Sequence, residues 1–457
     1  MRFLGGAGDA VSYGSIPYES RAKELLVRAH SPHDGARLVP RLSLTLTFVL
    51  IALLAVATAG AQVPAGTPED VGLSAKRLQR IGEMIQRAID AKQISGAVTV
   101  VARRGRVAHF EAHGVMDLEA DAPMQKDTIF PIASMTKPVT GVAILMLVEE
   151  GKVRLSDPVS RFIPEFRDTQ VAMPRSNAAG EEDGIHTVPA DREVTVHDLI
   201  THTSGLVSGG AGSEAASRIA PRDLTGTVAD WAAALGAAPL DFQPGTRWAY
   251  SGLAGIDTLG RIVEVASGLT FDQFLRQRIF EPLGMKDTAF NVPHDSMPRV
   301  VTLYRRTPDG LEHRPVPEWV ATRTLHGGGG GLWSTAEDYL QFAQMLVNRG
   351  ELNGARLLGP RTVDLMASNH VGDLYAKAGR TGGRPGKGFG LTVDVVLDGA
   401  VAREDHRSTG SFGWSGAFGT TFWVDPREEM TAILMVQTPG GPLRADFQNA
   451  VMQAIVD

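Results

Sequence analysis

Cysteine is absent from all 457 residues. That excludes thiol nucleophiles, thiolate metal ligands, disulfides and a lipid-modified cysteine anchor. The 12 histidines show no His-Glu-x-x-His or comparable spacing, so no metal is implied, and nothing in the sequence calls for a cofactor. A basic surplus is missing as well: 45 Lys and Arg stand against 51 Asp and Glu, a formal charge of -6. No broad cationic surface is left for phosphates, so neither nucleic acid nor an anionic membrane surface is expected as a partner. What is present, 43% hydrophobic and 21% charged residues, is the make-up of a folded chain with a large core.

Long apolar runs are scarce too. The exception is RLSLTLTFVLIALLAVATAGAQ at 41–62, where Arg41 precedes an apolar stretch centred on Phe48 to Ala57, followed by Ala59-Gly60-Ala61. The stretch is short for a membrane span of roughly 20 residues. Its layout is that of a signal peptide cleaved after Ala61, so residues 1–61 read as a leader and the mature chain is expected in the periplasm or outside the cell. Residues 1–40 are polar, mixed in charge and rich in Gly and Ser, which points to a start site placed too early. A membrane would be a partner only through an uncleaved leader.

Past the leader, Ser74 can cap a helix whose apolar residues Leu78, Ile81, Ile85 and Ile89 recur at three- and four-residue spacing, with Gly96 as its stop. AVTVVARRG and RVAHFEAHGV read as a hairpin turning at Arg104-Gly105. Near the far end, GTTFWVDPREEMTAILMVQ gives two strand-like runs around Asp425-Pro426, and residues 444–456 read as helix. Between these ends the patterns are mostly helical, as in VTGVAILMLVEEG, IDTLGRIVEVASG and TAEDYLQFAQMLVNRG. The arrangement predicts an α+β fold. An antiparallel sheet domain is built from both chain ends (62–133 and 324–457) and flanked by helices, a mostly helical lobe (134–323) is inserted, and a cleft between them holds the site.

The sharpest chemical signal is Ser134-Met135-Thr136-Lys137, placed just before an apolar helical run that opens at about Pro138. Proline costs little in a first helical turn, whose amides have no intrahelical partner. Residues three apart share a helix face, so the Ser134 hydroxyl and the Lys137 amine can meet. The positive end of the helix favours both an alkoxide and a deprotonated lysine, which is a way to activate a serine without histidine. The pattern is short, and Ser20-Arg21-Ala22-Lys23 in the leader matches it as well, so its surroundings decide.

From about Gly72 to the C-terminus those surroundings resemble the serine β-lactamase and penicillin-binding-protein superfamily. PIASMTKPVTG, LITHTSGL (199–206), FQPGTRWAYSG (242–252), EPLGMKDT, GGGGGLWSTAEDYLQFAQML and SFGWSGAFGT (411–420) occur in that order. The resemblance implies a β-lactamase/transpeptidase-like fold, an acyl-enzyme on Ser134, and a proton relay of Lys137 and Tyr250. Which of the two is the base stays open, because coupled groups titrate together. It also implies an oxyanion hole made by the backbone amides of Ser134 and Ala417.

Two departures narrow the reading. Where β-lactamases and transpeptidases have a Lys/His-Thr/Ser-Gly strand, this chain has Trp414-Ser415-Gly416, and tryptophan cannot anchor a carboxylate by charge. Where penicillin-interacting members have Asn two residues after the tyrosine, it has Gly252. Trp414, Ser415, Gly416 and Gly252 are therefore the substrate-binding candidates, with Gly416 allowing close backbone approach. Together the motifs are similar to the family VIII carboxylesterases, which implies a small-molecule ester substrate. The alternatives are a β-lactamase or D-alanyl-D-alanine carboxypeptidase, an acyltransferase on the same fold, and an idle binding module. Oligomeric state has no signal in the sequence.

Two further features are set aside. His326 with the glycines behind it is similar to an α/β-hydrolase oxyanion motif, but no serine here satisfies Gly-x-Ser-x-Gly. His202 reads as a hydrogen-bonded structural residue beside Thr201 and Thr203, not as a triad base.

Overall fold

The computed structural model describes residues 62–176, 182–315, 320–379, 383–402, 405–438 and 441–457; the leader, residues 1–61, lies outside them. The first helix, α1 (Ala75–Asp90), starts where Ser74 accepts the Arg77 amide at 3.4 Å. It does not run to Gly96. Lys92 takes φ 52°, and the amides of Lys92 and Gln93 fold back onto the carbonyls of Ile89 and Ala88 at 2.8 Å each. This is the left-handed helix stop usually given to glycine, and Gly96 instead opens the next strand.

That strand, β1 (Gly96–Arg103), pairs with β2 (Arg106–Asp117) across Arg104 and Gly105, at φ 52° and 70°, the positive pair that a two-residue hairpin turn needs. A short β3 (Ala122–Pro123) follows. The chain then builds the helices α2 (Thr136–Glu149), α3 (Ala254–Ser267) and α4 (Ala336–Val347). It returns to the sheet with β4 (Lys387–Phe389), β5 (Asp394–Val396), β6 (Phe412–Ser415), β7 (Thr421–Asp425) and β8 (Met430–Met435), and ends in α5 (Leu443–Met452). The eight strands form one antiparallel sheet in the order β4-β5-β6-β7-β8-β1-β2-β3. Both chain ends thus supply it, and β1 meets β8 in its interior, with Val98 opposite Met435.

Every residue of β1 is buried because both faces of the sheet are covered. Ala97, Val101, Ala432 and Leu434 pack with Leu78, Ile81 and Ile85 of α1 and with Phe447 and Val451 of α5. On the other face, Val98, Val100, Ile433 and Met435 pack with α4 and α2. Every residue of α2 from Thr136 to Leu147 is buried; a helix apolar on all sides belongs at the centre of a fold. The middle of the chain also carries two hairpins that its pattern did not show, Gln170–Ser176 with Glu182–Pro189 and Leu303–Thr307 with Gly310–Arg314.

Candidate active site

The Ser-x-x-Lys motif sits at the mouth of α2. A 3-10 turn, Ala133–Met135, runs into the helix at Thr136, so Pro138 falls in its first turn. Ala133 takes φ 44°, a region that non-glycine residues seldom occupy, and so places backbone strain next to the nucleophile. One helical turn on, Lys137 directs its Nζ back at Ser134 Oγ, 3.2 Å away. Tyr250, from a loop 116 residues downstream, donates its hydroxyl to the same Oγ at 2.8 Å. The three side chains that the sequence put forward therefore converge on one atom.

Lys137 is completely enclosed, and its other contacts show how the fold tolerates that. Nζ donates to the Gly252 carbonyl at 2.6 Å and to the Gly329 carbonyl at short range. With Ser134 Oγ these make three acceptors for three N–H groups, the full complement of an ammonium. Gly252 thus serves the lysine through its backbone, and it is not among the cavity-lining residues.

The glycine run 327–331, which proved unrelated to an oxyanion motif, has a role here. Asp257 of α3, wholly buried, accepts the Gly329 amide at 2.6 Å, and Thr140 donates to the Gly328 carbonyl at 2.9 Å. A Cβ on Gly327 would lie 2.5 Å from the Asp257 carboxylate, and one on Gly328 would lie 2.7 Å from Thr140 Oγ1. Only glycine lets the loop approach closely enough to offer its carbonyl to Lys137. Burial pushes the Asp257 carboxyl up, against the opposing pull of Arg222, 3.2 Å away, the Gly329 amide and Lys137. His326 stacks on Phe290 at 4.9 Å and pairs with Asp272 at 3.2 Å.

Ser134 and Tyr250 open into a cavity of about 650 Å³ whose near wall is Trp414, Ser415, Gly416 and Ala417. Trp414, half-buried at the end of β6, sets its ring against Tyr250 at 5.7 Å and Phe389 at 5.3 Å. Ser415 Oγ pairs with Thr421 Oγ1 at 2.9 Å. A Cβ on Gly416 would lie 2.4 Å from the Ile132 carbonyl, so β6 lies directly against the turn that carries Ser134. The Ala417 amide has no protein acceptor among the described residues and lines the same cavity as Ser134.

His202 corrects part of the sequence reading. It is structural in that it does not touch Ser134, but it makes no hydrogen bonds to its threonine neighbours. Thr201 and Thr203 bond to each other at 2.9 Å, and neither ring nitrogen of His202 has a protein partner among the described residues. Its ring packs against Tyr250 at 4.8 Å, with Trp248 and Phe389 close by. Burial, then Lys137, hold the imidazole well below 6.5 and so neutral. Asp257, Gly329 and the aromatic wall behind Tyr250 were not picked out from the sequence. The one trace was an aspartate in the otherwise apolar face of IDTLG.

A buried lysine and a tyrosine sharing one serine oxygen at the mouth of a helix, beside a cavity-lining sheet strand, define a serine hydrolase on a β-lactamase/transpeptidase-like fold. The chain belongs to the beta-lactamase family, whose model matches residues 81–456. It is 40% identical over 360 residues to protein Rv1367c of Mycobacterium tuberculosis (77% of this chain, 88% of that protein). To esterase EstB of Burkholderia gladioli it is 33% identical over 406 residues, covering 81% of this chain and 94% of that protein. Among solved structures it is similar to EstCE1, described as a hydrolase with promiscuous acyltransferase activity. That likeness has a TM-score of 0.70 and 27% identity, over 82% of this chain and 99% of that one.

Proposed function

We propose that the protein is a carboxylesterase that cleaves small esters through an acyl-enzyme on Ser134. The observation that carries this is the convergence of Tyr250 and Lys137 on Ser134 Oγ, at 2.8 and 3.2 Å, beside a strand that offers Trp414 instead of a charged anchor. Lys137 and Tyr250 form one coupled relay, and that pair takes the serine proton. Ser134 attacks the ester carbonyl, the amides of Ser134 and Ala417 hold the oxyanion, and the Lys137–Tyr250 pair returns the proton to the departing alcohol. Water then attacks the acyl-enzyme by the same relay.

The similarity to EstB supports the esterase reading, and the similarity to EstCE1 supports a second one in which an alcohol replaces water in the last step. From Arg41 to Ala61 we further propose export to the periplasm or beyond. The test of function assays p-nitrophenyl butyrate and nitrocefin side by side, with Ser134→Ala as control. Ser134-dependent ester cleavage with little nitrocefin turnover is expected; the reverse ranking overturns the proposal. Added alcohol that diverts product from acid to new ester identifies the transferase.

A further inference from the structure

The lining of the catalytic cavity is charged in a way that the Trp414–Ala417 strand is not. Arg384, Lys387, Arg407 and Arg444 line it together with only two carboxylates, Asp394 and Asp405. Within that group, two cations are matched. Arg407 grips Asp405 through Nε at 2.9 Å and Nη2 at 2.8 Å, while Lys387 pairs with Asp405 at short range and with Asp394 at 3.5 Å. Arg384 and Arg444 pair with no carboxylate among the described residues. A chain of net charge -6 therefore presents an uncompensated positive patch inside its own active-site cavity.

Arg444 is the one tied to the turn beside the catalytic serine. It stands in the first turn of α5, where the helix dipole disfavours a cation. Its guanidinium donates to the carbonyls of Gly419, at 3.1 Å, and Gly416. Gly416 precedes Ala417, so the charge is fixed one residue from the oxyanion amide. Two of its five N–H groups are used in this way, and the others have no acceptor in the described protein. A guanidinium fork matches the planar geometry of a carboxylate.

We infer that this cavity selects esters bearing a carboxylate away from the scissile bond, and that Arg444, assisted by Arg384, is the group that binds it. This rests on the esterase reading and deepens it, for the charge missing from the Trp414 strand enters from α5 instead. The experiment compares isosteric pairs that differ only in carboxylate against carboxamide. Monomethyl adipate against methyl adipamate places the charge on the acyl side, and 4-butyryloxybenzoate against 4-butyryloxybenzamide places it on the alcohol side. In at least one pair the carboxylate is expected to have kcat/KM on the order of tenfold higher, a preference that shrinks as salt is raised.

Arg444→Gln should bring that ratio close to one, and Arg384→Gln should reduce it by about twofold, since Arg384 lacks, among the described residues, the carbonyl contacts that fix Arg444. Equal rates within both pairs overturn the inference. So does an Arg444→Gln variant that slows both members of a pair equally, which would make Arg444 only a brace for the Gly416–Gly419 turn. Calorimetric binding to Ser134→Ala separates the two proposals. Tighter binding of the carboxylates without turnover by the wild type would retain the subsite and remove the esterase, whereas equal binding removes the subsite.

Discussion

Asp257 and Lys137 are tied to the same glycine: the Gly329 amide donates to Asp257 at 2.6 Å while the Gly329 carbonyl accepts from Lys137 Nζ. Asp257 does not reach the reacting atoms, so it is a positioning residue for the lysine. Asp257→Ala removes the acceptor and leaves Arg222 facing an empty site. It is expected to lower kcat by up to about 100-fold through misplacement of Nζ, with KM little changed. Asp257→Asn keeps an acceptor oxygen for the Gly329 amide and should retain more activity than the alanine variant. Steady-state kinetics on the two variants check this, and wild-type kcat in Asp257→Ala would dissolve the linkage.

Tyr250→Phe isolates the hydroxyl. The ring contacts with His202 and Trp414, at 4.8 and 5.7 Å, survive the change, so the unfolding temperature should hold. Turnover should fall about 100- to 10,000-fold, the usual worth of a positioned proton relay. A matched pair of melting and kinetic measurements tests both halves; loss of the fold along with activity would mean that the hydroxyl is structural.

Stability should depend on pH through His109 of β2. The ring is buried and meets Thr99 Oγ1 through Nε2 at 2.8 Å. Burial, only partly opposed by Glu111, pulls it from 6.5 down to about 4. Above 6.5 the imidazole is neutral in the folded and unfolded chain alike. Between 6.5 and about 4 the unfolded chain takes up a proton that the folded one refuses, so stability is lost as pH falls through that window, by about 3 kcal/mol in all. His109→Gln, which can still meet Thr99, should flatten this part of the profile in denaturant titrations. An unchanged slope would assign the pH dependence to other groups.

How far the sequence could be read depended on the range of each interaction. Ser134 and Lys137 were legible because a helix turns three-residue spacing into contact, and the sheet ends because β1 and β8 are strand-like runs rich in apolar and β-branched residues. Tyr250 came only by resemblance, since no local rule ties a tyrosine to a serine 116 residues away. Asp257 left only the trace of an aspartate in an apolar helix, and Arg444 left none: each acts through a backbone carbonyl or amide supplied by a distant loop. The three-residue strands β4 and β5 are too short for any alternation to register. The end of α1 was misplaced because Lys92 adopts a left-handed conformation that a reader expects of glycine.

Two glycines of the site make opposite predictions. A Cβ added to Gly252 meets nothing within 4 Å, and the carbonyl that holds Lys137 is backbone, so Gly252→Asn should fold within about 0.5 kcal/mol of the wild type. The new amide would stand where penicillin-interacting relatives have theirs. If its absence is what turns β-lactams away, nitrocefin turnover should rise relative to ester turnover. Gly416→Ala should fare differently, for its methyl would lie 2.2 Å from Thr420 Oγ1 and 2.4 Å from the Ile132 carbonyl. The hydroxyl can rotate away, but the carbonyl belongs to the turn that sets Ser134, so relief must move either the nucleophile or the Ala417 amide. A loss of about 1–3 kcal/mol and a fall in ester turnover are expected together. Full activity in Gly416→Ala would mean that β6 and the serine turn are not held in the contact on which the oxyanion assignment depends.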